Sequence, residues 1–255
     1  FDNYLNFNKY KFKDDTNKIG GYILFQNKKS SLAIDIGRPP EKKFSKDYQS
    51  GVFSFEFQFL GEKVITNSGY FQDYKHQLNI ISKSSATHSS LILDNTSCVK
   101  FERDKNGFML VNKNFKILEK VSKSEEKFWL IRASHDAYSK SYGVIHERQL
   151  FYHHDNYKLE GYDKLIKTKN FKSCSFEIRF HLMPNINLTK LINNESILIE
   201  SNNAGWKFTC KNYKIDIETG LYFGIKNKYF ENKNILVSGI TKPVEENIFW
   251  ELSKI

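Results

Sequence analysis

A strictly alternating segment, Val52–Leu60, constrains the fold of this chain more than any other feature of its sequence. Its four aromatic residues all fall on one face: Phe53, Phe55, Phe57 and Phe59. This two-residue period is typical of a half-buried β-strand, and Gly61-Glu62 then predicts a tight turn into the next strand, Lys63–Thr66. A face of four aromatic rings has to be covered by a second layer, so we expect all four rings to be buried in a core.

Short strand-like runs recur along the rest of the chain at intervals of about 8–15 residues, separated by Gly, Asn and Asp. No segment of about 15 residues carries the apolar stripe of an amphipathic helix. The residues are 40% hydrophobic, which is enough for a sizeable core. We therefore predict an all-β fold, an antiparallel two-sheet β-sandwich, with residues 1–255 forming a single domain.

The net charge is +10, from 39 Lys and Arg against 29 Asp and Glu. A basic surface attracts polyanions, although the basic residues are scattered and an ordinary solvated surface is the simpler interpretation. A nucleic-acid partner is disfavoured because the sequence has no Lys/Arg-Gly-Phe-type stacking motif. Membrane insertion is not expected either, because no apolar run reaches the length of a membrane span.

Histidine and cysteine positions give few chemical clues. Cys98, Cys174 and Cys210 are too irregularly spaced for a disulfide framework or a zinc motif. The pair His153-His154 follows a strand and is predicted to form a solvated hairpin turn. His146 and His181 lie within strand patterns and are interpreted as hydrogen-bonded core histidines. There is no His-Glu-x-x-His, Gly-x-Ser-x-Gly or phosphate-binding glycine motif, so the residues alone indicate only a basic all-β domain.

Three ordered segments carry a resemblance to a known family: Ser50–Glu56, Val64–Gly69 and Ser85–Asp94. Together they resemble the core of the heparinase II/III-like C-terminal domain, in which a Ser-Phe-Glu strand precedes an Ala-x-His-x-Ser segment. Weaker matches continue in the family's order, namely Ala133–Tyr138, Tyr142–Leu150, Glu177–Pro184 and Gly205–Phe208. The resemblance extends from about Gly21 to the C-terminus, and the order of the motifs is more specific than any one of them.

The resemblance implies a fold and an activity. Members of this family join an N-terminal α/α toroid to a C-terminal antiparallel β-sandwich, and they cleave uronic-acid-containing polysaccharides by β-elimination. It therefore implies an acidic polysaccharide as substrate, the chain's own toroid as a partner domain, and a location in the cell envelope or periplasm. Since the chain begins at Phe1, we expect it to be the sandwich part of a longer protein and to be inactive alone.

The residues at the family's site positions differ from the family pattern. Aligned on Ser54–Glu56, the His-x-His turn of the family falls at Asp47–Gln49, and its metal-binding Asp falls at Asn67. Only His88 stays at a position where the family places a ligand. Neutral amides are poor zinc ligands, so no zinc or other cofactor is expected.

The predicted catalytic residues are therefore Gln49, Asn67 and His88, with Glu56 as a strand marker. His88 would orient a substrate carboxylate or organise the two amides. Two alternatives stay open. In the first alternative the domain is a catalytically degenerate sandwich with a glycan-binding or structural role. In the second, His88 is a buried structural histidine.

Overall fold

The computed structural model describes residues 18–226 and 228–255, so residues 1–17 of the predicted domain, and Asn227, lie outside the described part. The strands in chain order are β1 (Lys18–Ile19), β2 (Tyr22–Gln26), β3 (Ser30–Asp35), β4 (Phe55–Phe59), β5 (Glu62–Ile65), β6 (Leu91–Leu93), β7 (Lys100–Arg103), β8 (Met109–Lys113), β9 (Ile117–Ser124), β10 (Phe128–His135), β11 (Val144–His153), β12 (Lys158–Lys167), β13 (Ser175–His181), β14 (Asn187–Lys190), β15 (Ser196–Glu200), β16 (Gly205–Thr209), β17 (Lys214–Tyr222), β18 (Phe230–Ile240) and β19 (Glu246–Lys254). The helices are α1 (Gln77–Ser82) and α2 (Ser139–Tyr142), and two 3-10 turns cover Lys42–Phe44 and Ser85–Thr87.

The strands pair antiparallel, and all except β7 and β8 form two layers; β7 and β8 pair with each other in a separate two-stranded sheet. One layer is an eight-stranded sheet in the order β14-β15-β16-β19-β12-β11-β10-β9. The facing layer is divided between a five-stranded sheet, β1 to β5 in sequence order, and a four-stranded sheet in the order β17-β18-β13-β6. An antiparallel bridge between Thr66 and His181 joins these two sheets at their shared edge. The predicted antiparallel β-sandwich is confirmed, with one of its two layers assembled from two sheets.

Aromatic rings fill the space between the layers. Phe55 of the five-stranded sheet stacks on Trp250 of the eight-stranded sheet, with ring centroids 5.6 Å apart. Phe180 of the four-stranded sheet packs edge-on against the same indole at 4.7 Å. Phe57 contacts Tyr152 at 5.2 Å and Trp206 at 5.5 Å. The predicted phenylalanine face is therefore in the core, and each of its four rings is at most 2% exposed.

Three local details differ from the sequence predictions. The alternating strand begins at Phe55, because Phe53 has φ +61° and belongs to the turn before it. Two of the short strand-like runs of the sequence, Gly143–His146 and Gln149–Tyr152, would be separate strands by their spacing but form one continuous strand, β11. Helix α1 was not predicted, because six residues are too short to show a helical period.

The Leu60-Gly61 turn between β4 and β5 has φ values of +50° and +81°, which suits a two-residue hairpin loop and confirms the predicted hairpin.

Candidate functional site

A polar cleft of about 400 Å³ lies on the outer face of the five-stranded sheet. The strand residues that line it alternate with residues that point into the core, so the same two-residue period builds both surfaces. Gln49, Asn67 and His88 all line this cleft, although 39 positions separate the first from the last. The other lining residues are Tyr22, Ala33, Asp35, Asp47, Tyr48, Gly51, Ser54, Glu56 and Gly69.

His88 is held in one orientation by its backbone surroundings. It follows the 3-10 turn Ser85–Thr87, and its ring Nδ1 donates a hydrogen bond to the Ser84 carbonyl at 2.8 Å. Gly51 packs directly against the ring, since a Cβ atom at Gly51 would lie 2.6 Å from Cδ2 of His88. Burial lowers the pKa of His88 to about 4, and the Ser84 hydrogen bond only partly opposes this shift. The ring is therefore neutral at pH 7 and carries its lone pair on Nε2.

The two amides bring hydrogen-bond donors to the cleft. Oδ1 of Asn67 accepts the backbone N–H of Ser89 at 2.8 Å, which assigns the amide orientation and leaves Nδ2 as a donor. This hydrogen bond also fixes Asn67 beside His88. Gln49 is half-buried in the loop before Gly51, and the Gly51 N–H donates to the backbone carbonyl of Gln49 at 2.9 Å. Amide N–H groups of this kind can bind a carboxylate without carrying charge themselves.

Three carboxyl groups share the cleft with these residues. Burial raises the pKa of Asp35 to about 7, against the opposing effects of the Gly37 N–H and of Lys120. Glu56 is paired with Lys63 at 2.7 Å and accepts the Thr66 hydroxyl at 3.2 Å. The residues lining this cleft in the described structure include no Lys or Arg. The cleft therefore gives an anionic ligand hydrogen bonds but little electrostatic attraction.

Sequence reasoning missed the residue that ties the cleft to the core. Arg148, on β11 of the opposite sheet, is fully buried, and its Nη1 donates to the carbonyls of Phe53 at 2.9 Å and Ser89 at 2.7 Å. These two carbonyls lie in the two loops that carry Gly51 and His88. Arg148 therefore holds both sides of the cleft together from behind.

Asp163 compensates the buried charge of Arg148. Its carboxylate accepts Nε of Arg148 at 2.7 Å and Nη2 at 2.9 Å, and also Nε1 of Trp250 at 2.9 Å. His135 accepts the Ala137 N–H on Nδ1 at 3.2 Å, so its Nε2–H donates to Nδ1 of His146, also at 3.2 Å. His146 is then left to donate Nε2–H to Asp163 at 2.7 Å. Burial alone raises the pKa of Asp163, but Arg148 and His146 outweigh it and lower the pKa below its usual value.

Of the other histidines, His146 and His181 lie where the sequence analysis placed them, whereas the prediction of a solvated turn at His153-His154 is only partly right: His153 is still in the strand, and both residues are half-buried. His146 and His181 are buried and hydrogen-bonded within strands. His153 ends β11, and the hairpin turn follows it. Over residues 18–226 and 228–255 no three His, Cys, Asp or Glu side chains come together in a way that could hold a metal ion. The absence of zinc stays a prediction, which elemental analysis of the dialysed protein tests.

Fold and cleft together define the class of this protein: an antiparallel β-sandwich module with a polar cleft on the outer face of one sheet. The family model described as Heparinase II/III-like, C-terminal, matches residues 17–251, so the chain belongs to that family. It is a polysaccharide lyase-related module.

Solved structures share this fold at low sequence identity. The crystal structure of the heparan sulfate lyase HepC from Pedobacter heparinus is 14% identical with a TM-score of 0.74, over 96% of this chain and 36% of that one. A heparinase III crystal structure is 13% identical with a TM-score of 0.72, over 95% of this chain and 37% of that one. The chain thus spans about a third of the length of these structures. No curated protein sequence matches it. Among the helices of the described residues, none is long and apolar enough to cross a membrane.

Proposed function

We propose that this domain forms one wall of a polysaccharide lyase active site that acts on uronic-acid-containing glycans by β-elimination. The observation that carries the proposal is the convergence of Gln49, Asn67 and His88 in one cleft. In β-elimination a base removes the proton next to the uronate carboxylate, and that carboxylate needs hydrogen-bond donors as it gains enolate character. Family membership supports the same class of reaction.

Each of the three residues has a role in this proposal. The side-chain N–H groups of Asn67 and Gln49 donate to the uronate carboxylate. His88 is neutral, and Nε2 accepts a proton or a hydrogen bond from the sugar. Within the described residues Nε2 of His88 has no hydrogen-bond partner, since both polar contacts of the ring involve Nδ1.

A binding test of the cleft uses the isotope-labelled chain and a heparan sulfate tetrasaccharide. We expect the sugar to shift the NMR signals of the His88 ring and of the Asn67 and Gln49 amides. His88→Ala should weaken binding. His153→Ala should not, because His153 lies at the end of β11 and does not line the cleft. A carboxyl-reduced tetrasaccharide is the matched ligand control, and it should bind more weakly. Equal binding of both sugars, or no effect of His88→Ala, would contradict a uronate-binding role.

A second candidate is a sandwich that binds glycan without taking part in catalysis. Asp47 favours it, because an exposed carboxylate lines the cleft where the family resemblance places a histidine. By the same resemblance the toroid supplies most of the acid and base groups, so we expect the 255-residue chain alone to give no unsaturated uronate product. Absorbance of that product on heparan sulfate and alginate tests this, and turnover by the chain alone would contradict it.

A further inference from the structure

A second groove lies beside the cleft, at the open edge between the two layers. It has a volume of about 840 Å³ and runs between the β1–β2 turn, the segment after β3 and the start of β9. An adjoining space of about 620 Å³ shares Gly20, Gly21 and Lys120 with it and reaches Tyr22. Tyr22 also lines the His88 cleft. The groove therefore adjoins this space, and Tyr22 borders both the space and the cleft.

The groove brings Arg38 together with two cations from a distant segment of the sequence, Lys116 and Lys120. All three are exposed and line the groove. In the described part of the chain none of the three has a carboxylate within ion-pair distance, whereas Glu41, which also lines the groove, lies 3.5 Å from Lys43. Lys120 is also near enough to Asp35 to oppose the rise of its pKa. The positive charge of the groove thus begins next to the acidic cleft.

The backbone on the Arg38 side of this groove is closely packed. The Ile36 N–H donates to the Gly21 carbonyl at 2.9 Å, and a Cβ atom at Gly21 would lie 2.9 Å from Cα of Gly37. This close contact between two glycines brings the β1–β2 turn against the segment that carries Arg38. Half-buried Pro40 and Ile117 add apolar surface to the lining. This packing positions the backbone that carries Arg38, whereas β9 and the residue before it carry Lys120 and Lys116.

We propose that this groove, defined by Arg38, Lys116 and Lys120, binds the acidic groups of a glycan chain whose neighbouring uronate lies in the His88 cleft. The inference rests on the proposed function and extends it, since it assigns charge recognition to a separate subsite. The cleft offers amide hydrogen-bond donors but is lined by three carboxyl groups, whereas the groove is lined by Arg38, Lys116 and Lys120. In this proposal the cleft supplies hydrogen bonds and the groove supplies electrostatic attraction. Within the groove itself a single-stranded nucleic acid finds no stacking face, because the aromatic residue there, Phe115, is only 6% exposed; the exposed Tyr22 lies beyond it, next to the cleft.

The test compares two triple variants that each lower the net charge from +10 to +7, since both remove three positive charges. The groove variant is Arg38→Ala/Lys116→Ala/Lys120→Ala. The control variant removes three exposed lysines that do not line the groove: Lys28, Lys105 and Lys211. Binding of a fluorescent heparin hexasaccharide is measured by polarisation over a range of salt concentrations. Circular dichroism checks that both variants are folded.

An exposed charge contact changes Kd by about two- to fivefold, so losing three should raise Kd by about 10- to 100-fold in the groove variant. Its salt dependence should also become shallower, while the control variant stays within about threefold of wild type. Equal weakening in both variants would overturn the groove but leave the proposed function standing. No binding by the wild-type chain even at low salt would overturn both. A single-stranded oligonucleotide that binds as tightly and responds equally to the groove variant would overturn the assignment to glycan.

Discussion

Replacing Arg148 by Met tests whether the cleft is held from inside the core. The substitution keeps much of the apolar volume of the side chain and removes its charge and all four donated hydrogen bonds: two to Asp163 and one each to the carbonyls of Phe53 and Ser89. Asp163 has no exposed side-chain area, so water cannot replace the lost donors. His146 and Trp250 remain as its partners.

The expected loss of stability follows from the burial of both partners. Breaking a buried ion pair by removing one member costs about 3–5 kcal/mol, because the remaining charge is uncompensated. Two buried carbonyls lose a donor in addition, and each such loss costs about 1–3 kcal/mol where nothing relaxes. Part of these costs overlaps, so we expect Arg148→Met to lower the free energy of unfolding by at least 3 kcal/mol.

Urea denaturation followed by tryptophan fluorescence measures this loss. The matched control is Arg132→Met on the neighbouring strand β10, where the guanidinium lies 2.8 Å from Glu119 and the two side chains are 40% and 48% exposed. A pair of this kind contributes about 0–1 kcal/mol. If Arg148→Met costs less than 1 kcal/mol, or no more than Arg132→Met, Arg148 does not act as inferred.

The pH dependence gives the same experiment a second readout. Since Arg148 and His146 hold the pKa of Asp163 below that of the unfolded chain, this contribution to stability is present at neutral pH and is lost as the pH falls through the folded-state pKa. In Arg148→Met, burial should instead raise the pKa of Asp163, and the carboxyl can protonate in mild acid. The stability difference between wild type and variant should therefore shrink from pH 7 to pH 4.

Three further predictions concern the core and the cleft. Phe57→Ala should destabilise the domain by about 3–5 kcal/mol in urea denaturation, because the fully buried ring leaves a cavity between the layers. Gly51→Ala should displace the His88 ring and weaken tetrasaccharide binding, whereas Gly205→Ala, where the nearest atom to a new Cβ is 3.8 Å away, should not. Asp35→Asn should stabilise the domain at pH 8 by up to about 4 kcal/mol. The reason is that folding raises the pKa of Asp35 from 3.8 to about 7, so the wild-type domain loses stability as the pH increases through that range. At pH 3 the Asn variant and wild type should be equally stable, and an equal gain at both pH values would contradict this reasoning.

The sequence predicts the core well because strand alternation is a local signal. The face that contains Phe55 and Phe57 could be read directly from Val52–Leu60, since the pleat sends every second side chain the same way. Phe53 shares the alternation and is buried, but it lies in the turn with φ +61°. Alternation predicted its burial and not its backbone conformation, since the ring packs from the turn against His135 and His146, which are distant in the sequence.

The support of the cleft was not predictable in the same way. Arg148 reaches the Phe53 carbonyl across 95 positions of sequence and the Ser89 carbonyl across 59. No periodic pattern records such contacts, and an arginine on a strand is more often exposed than buried. Only the alignment of β11 with β12, which places Arg148 opposite Asp163, supplies the partner that makes its burial tolerable.

The separation of charge between cleft and groove bears on how a module with carboxyl groups in its cleft can take part in binding an acidic glycan. Near pH 7, about half of Asp35 is protonated and Glu56 is paired with Lys63, so the repulsion in the cleft is smaller than three carboxylates suggest. In the proposed complex the amide donors of Asn67 and Gln49 would act over hydrogen-bond distance only, on a carboxylate that has already reached the cleft. Electrostatic attraction of an acidic glycan has to come from positive charges outside the cleft. These charges have to lie close by, because the Debye length at physiological salt is only about 8 Å. In the proposed complex the groove cations Arg38, Lys116 and Lys120 would supply it, so the salt dependence of binding, and not its strength alone, distinguishes the two surfaces.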